Sequence, residues 1–217
     1  METFVSPDSP PASLELVLFV FLHLARGLAF IHQAGVDHRD IKLENIVIEK
    51  ATCLPKFVDF GLACAPDLGD RCRRSAGTMF AIPPEVLRGS RSLDLTAAKR
   101  QDVFALGIVF HALAMKSEPF ESDARGLVYE RFYPPETGAP ELDALLTGML
   151  SLAPAGRPSA EQIVEKLEAL SSQYTGCFRQ YGDRLQRLEP ADKAMCRQRG
   201  GVYMDPLHPG CHLRTRP

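Results

Sequence analysis

His38-Arg39-Asp40-Ile41-Lys42-Leu43-Glu44-Asn45 places an imidazole, two cations, two carboxylates and an amide within eight residues. Upstream, Leu14 to Gln33 carries apolar residues on almost every face, the pattern of a helix enclosed by protein. Ala34-Gly35 is a natural stop for it. Downstream, Ile46-Val47-Ile48 and Lys56-Phe57-Val58 are short apolar or β-branched runs separated by Glu49 to Pro55, which predicts two brief strands joined by a turn. Any one of the polar residues, taken alone, reads as a solvated loop charge. Their concentration between a buried helix and a β-ribbon is what calls for an explanation.

Two further pieces follow in order. Asp59-Phe60-Gly61 comes directly after the second predicted strand, and Pro83-Pro84-Glu85 closes a stretch, Asp59 to Ile82, that has no clear period and is predicted to be a long loop. Helical patterns are read at 97–116, 122–131, 140–152 and 159–171. The first is continuously apolar from Val103 to Phe110 and is expected at the centre of the core. Pro7, Pro10 and Pro11 make residues 1–13 a linker, with Ser13 as a candidate cap for the first helix. Residues 14–171 form the expected domain. Apolar density falls beyond Ser171, so 172–217 is read as an extension, one polar helix and then an irregular tail.

Composition narrows the class. The chain has 217 residues, 45% of them hydrophobic, which is enough for a sizeable core in one main domain. Its 25 Lys and Arg balance 27 Asp and Glu, so no overall field points to nucleic acid or an anionic membrane. The run Leu14 to Ala25 is interrupted by Glu15 and His23 and is too short to cross a bilayer. Six scattered cysteines and an acidic start, Met1-Glu2-Thr3, predict free thiols and an intracellular, cytoplasmic setting.

The ordered set of three motifs resembles the signature of serine/threonine protein kinases: His-Arg-Asp with a later Asn, then Asp-Phe-Gly, then a Pro-Glu pair. The resemblance covers roughly residues 1–170. It implies a mainly α fold of the α+β family, a kinase large lobe with a short β-ribbon at the catalytic loop. It also implies ATP and Mg2+ as cofactors and a protein substrate with a Ser or Thr acceptor. Carried over by motif, Asp40 would accept the acceptor hydroxyl's proton, Lys42 would sit on the transferring phosphate, and Asn45 and Asp59 would bind metal. Thr78, in Gly77-Thr78-Met79, would bond Asp40 and Lys42, and Val47 would floor the adenine ring. Gly61 would let the backbone turn after the metal ligand, and Phe60 would pack towards His38. Glu85 would pair with Arg157 in a buried ion pair, while Asp102, near the start of the core helix, would brace the catalytic-loop backbone. Arg39 suggests control by activation-loop phosphorylation. Ser75, in Arg71-Cys72-Arg73-Arg74-Ser75, is then either the acceptor or part of a solvated basic loop.

The sequence departs from the family upstream. No Gly-x-Gly-x-x-Gly occurs, and the 37 residues before His38 leave no room for a five-stranded lobe. The expectation is a large lobe whose N-terminal lobe is missing, with Met1 to Val5 similar to the hinge between lobes. Three readings stay open: a kinase completed by a further segment or partner chain, a pseudokinase or protein-binding module, and a truncated relic. A missing small lobe would expose apolar surface around Val47 and Phe60, which would need a partner chain over that face or would invite aggregation.

Overall fold

The computed structural model describes residues 14–49, 54–65, 77–87, 95–123 and 126–173. Helix α1, Leu14–Gln33, is the enclosed helix expected, with Val17 to Leu22, Leu24, Ala25, Leu28 and Ala29 all buried. By length and composition its stretch Leu16–Gln33 is apolar enough to cross a membrane, longer than the run read from the sequence, yet 61% of it is buried inside the protein. Its faces meet later elements, among them the helices Leu95–Met115 and Ala160–Gln173 and the strand Pro55–Phe57.

Strand β1, Ile46–Ile48, pairs antiparallel with β2, Pro55–Phe57, with Val47 opposite Lys56. The second strand starts one residue earlier than predicted; Pro55, which has no N–H to give, is tolerated at a strand's first position. A short helix α2, Pro84–Leu87, precedes α3, Leu95–Met115. From Gln101 to His111 every residue of α3 is buried, which places it at the centre as expected. Helices α4, Pro140–Met149, and α5, Ala160–Gln173, close the domain.

Residues 122–131 are not helical, which corrects the periodicity reading. Strand β3, Phe120–Asp123, pairs antiparallel with β4, Gly126–Phe132. Gly126 has φ +120°, a conformation a helix interior cannot hold and only glycine adopts freely. The run after it, Leu127-Val128-Tyr129, is rich in strand formers. This second ribbon supplies Phe120, Leu127, Tyr129 and Phe132 to a satellite core around Phe104, Ile108 and Leu150. Cys64 is disulfide-bonded, which corrects the reading of all cysteines as free thiols.

Candidate active site

The catalytic-loop candidate begins where α1 ends. Gly35 takes φ +75° and turns the chain, and Val36 N–H donates to Ile31 O at 2.9 Å. Asp37 then forms a two-way backbone bridge with Cys64, at 2.8 and 2.9 Å. This bridge ties the loop to the segment just after Asp59-Phe60-Gly61. His38 and Arg39 follow, and α3 holds both of them: His38 N–H donates to Asp102 Oδ2 and Arg39 N–H to Asp102 Oδ1, each at 2.7 Å. Arg39 sits at φ +66°, in the left-handed region, so those bonds fix a backbone shape that a non-glycine residue seldom takes. Asp102 is fully buried and accepts a third contact, from His32 Nε2 of α1 at 2.9 Å.

The bend delivers Asp40, Lys42 and Asn45 to one point. Lys42 Nζ donates to Asp40 Oδ2 at 2.8 Å and to Thr78 Oγ1 at 2.7 Å, and Thr78 Oγ1 donates to Asp40 Oδ1 at 2.7 Å. Asn45 Nδ2 donates to both Asp40 O and Asp40 Oδ2, at 2.9 Å. Burial opposes the charge on Asp40, but the hydrogen bonds of Lys42 and Thr78, the charge of Lys42 and the bond from Asn45 outweigh it and hold the carboxyl below its usual range. Asp40 is therefore a carboxylate at neutral pH, oriented by three donors.

Asp59 is exposed, has φ +61°, and accepts Gly61 N–H on Oδ1 at 3.1 Å. Its neighbour Val58 donates N–H to Asn45 O at 2.9 Å, so the two residues expected on metal are joined through the backbone. Among the described residues, no hydrogen bond runs from Asp59 to the Asp40 cluster. Phe60 lies against His38, ring centroids 4.7 Å apart, but stays 44% exposed, so it packs inward only in part. Val47 is 41% exposed on β1. Ser75 lies outside the described residues.

Glu85 and Arg157 meet as expected. Arg157 Nη1 and Nη2 reach Glu85 Oε1 and Oε2 at 2.6 and 2.9 Å, a bidentate pair. Two contacts that sequence reasoning missed are His32 on Asp102 and the side chain of Asp37, which is buried beside them. A single charge next to a helix stop looks like a solvated turn residue, and only the packing of α1 against α3 reveals otherwise.

The family model described as protein kinase domain matches residues 4–167. A PAS domain-containing serine/threonine-protein kinase of Mus musculus is 31% identical over 76% of this chain and 12% of its own. The serine/threonine-protein kinase STK11 of Homo sapiens is 32% identical over 66% of this chain and 34% of its own. In fold, the chain is similar to the Rad53 kinase domain solved with SCD2 in complex with AMPPNP, with TM-score 0.57 and 17% identity, covering 72% of this chain and 59% of that one. The chain belongs to the protein kinase domain family, among relatives named as serine/threonine kinases. It spans about a third or less of the length of those curated relatives.

Proposed function

We propose that this chain is the large lobe of a serine/threonine protein kinase and that, with a small lobe supplied in the same chain or by a partner, it transfers the γ-phosphate of ATP to a Ser or Thr hydroxyl. The observation that carries the reading is the closed cluster of Asp40, Lys42, Thr78 and Asn45. In this arrangement Asp40 would orient the acceptor hydroxyl and take its proton, and Lys42 would hold positive charge where the transferring phosphate lies. Thr78 brings the substrate-docking loop against both. Asn45 spends its amide nitrogen on Asp40, which leaves its oxygen as the donor suited to a hard cation, and Asp59 offers an exposed carboxylate nearby. That donor set fits Mg2+, which when bound would neutralise charge on the ATP phosphates. Val47, exposed on β1, would meet the base.

A partner over the face towards the small lobe is favoured by Val47, Phe60 and Leu62, which are 41%, 44% and 44% exposed on adjoining segments. This surface also supports the second reading, a binding module without turnover. Transfer from radiolabelled MgATP to a Ser/Thr peptide library separates the two. Replacing Asp40 by Asn should lower transfer by about 10²- to 10⁴-fold, the usual worth of a positioned acid or base, in a variant that still melts cooperatively. Equal incorporation by the wild type and Asp40→Asn sinks the enzyme reading.

A further inference from the structure

Asp37 stands one residue before the catalytic loop, is 1% exposed, and among the described residues has no hydrogen-bond partner on either carboxyl oxygen. Its backbone bridge to Cys64 stops it from swinging out to water. One of its oxygens shares a space with His32 and Asp102, the three ligand atoms lying within 4.8 Å of one another. The charged or titratable groups that face it are Asp102 and Lys99 from α3, His32 from α1 and Arg39 from the loop itself. Lys99 Nζ is engaged with His32 O at 2.8 Å, and His32 Nε2 with Asp102 Oδ2 at 2.9 Å. Two carboxylates in one dry space disfavour each other's ionisation. Burial first, and then the charge of Asp102, push the Asp37 carboxyl up to about 6, against the pull of His32, Lys99 and Arg39.

We infer that Asp37 is a proton-linked positioning residue, whose carboxyl when protonated leaves Asp102 to hold the backbone of His38 and Arg39 and when ionised loosens that hold. The proton comes from water and returns to it. In the neutral form the new O–H has the Asp102 carboxylate, within 4.8 Å, as an acceptor it can turn towards. In the charged form both carboxylates repel, and the strain falls on Asp102, which carries the catalytic-loop amides. Only the use of the loop in catalysis rests on the kinase reading; the link between proton and stability does not.

The sign follows from the two ends of the titration. In the unfolded chain the group has its ordinary value of 3.8, and in the native state about 6, so the native state binds the proton more tightly. The stabilisation is full below pH 3.8 and is lost as pH rises through about 6. Between pH 5 and pH 8 this single group should change the folding constant by about tenfold.

The test compares denaturant unfolding of the wild type and Asp37→Asn, the latter a fixed mimic of the neutral acid, from pH 5 to 8. The ratio of their folding constants should shift by about tenfold in favour of Asp37→Asn as pH rises. Asp37→Val, which cannot titrate, should give the same flat reference should Asp37→Asn fold poorly. Hydrogen exchange at His38 and Arg39, corrected for intrinsic rate and compared with α4, should gain protection on acidification in the wild type alone. A pH-independent ratio overturns the inference, as does loop protection that merely follows α4. A Zn2+-dependent, chelator-reversible rise in melting temperature in the wild type but not in Asp37→Asn also overturns it, by showing that a cation answers the carboxyl. Loss of phosphate transfer in every variant would count against the kinase reading and leave the unfolding ratio to decide this one.

Discussion

Replacing Arg157 by Ala is expected to destabilise the domain by about 3–5 kcal/mol, the cost typical of breaking a buried ion pair from one side. Arg157 is 1% exposed, and its guanidinium is used on every edge. It clamps Glu85 with two bonds, donates through Nε to Ser151 O at 2.7 Å and through Nη1 to Arg100 O at 3.1 Å, and stacks 4.8 Å from the Phe104 ring centroid. Truncation leaves the Glu85 carboxylate with no cation and leaves two carbonyls short of a donor. Lys at this position should recover only part of the loss, because a point charge cannot reproduce the planar fork. The measurement is denaturant unfolding of both single variants and of the double Glu85→Ala/Arg157→Ala variant. Since the two groups are in contact, the double variant should cost less than the sum of the singles. A loss below about 1 kcal/mol for Arg157→Ala, the scale of a surface pair, would show that α2 is not tied to α3 and the 154–157 turn in this way.

The motif residues were legible because their spacing survives any error in the elements around them. Asp40, Lys42 and Asn45 converge once the helix stop at Gly35 and the ribbon Ile46–Phe57 are given, and both were read from local pattern. Thr78 and Glu85 needed the family resemblance, since their partners lie 38 and 72 residues away in the chain. The β3–β4 hairpin was misread because its apolar residues suit either period over so short a run. Gly126 at a positive φ decides the matter, and a sequence does not display φ. Asp37 and His32 escaped for a different reason. Each owes its environment to the packing of α1 on α3, a tertiary contact that no window of sequence contains. Phe60 shows the converse, since a residue expected inside is half exposed on a face that the proposed partner would cover.

Asp102→Ala should be as damaging as the loss of Arg157, about 3 kcal/mol or more, and the damage should centre on the loop of residues 38–45. The carboxylate is the acceptor for His38 N–H, Arg39 N–H and His32 Nε2, and all of these groups are buried. A stranded buried donor costs about 1–3 kcal/mol, so three of them outweigh the relief from removing a buried charge. Arg39 would also lose the bond that holds it at φ +66°, and the peptide plane that aims Asp40 would be free to turn. Asp102→Asn should do little better, because one amide edge would present N–H to N–H. Hydrogen exchange at His38 and Arg39 should rise first, before global unfolding, while α4 stays protected. The variant also bears on Asp37. With Asp102 gone, one of the two causes that raise the Asp37 carboxyl is gone as well, and burial alone remains to raise it. The pH-dependent part of stability between pH 5 and 8 should therefore shrink in Asp102→Ala relative to the wild type. If it persists at full size, the repulsion between the two carboxylates is not what couples the proton to the loop.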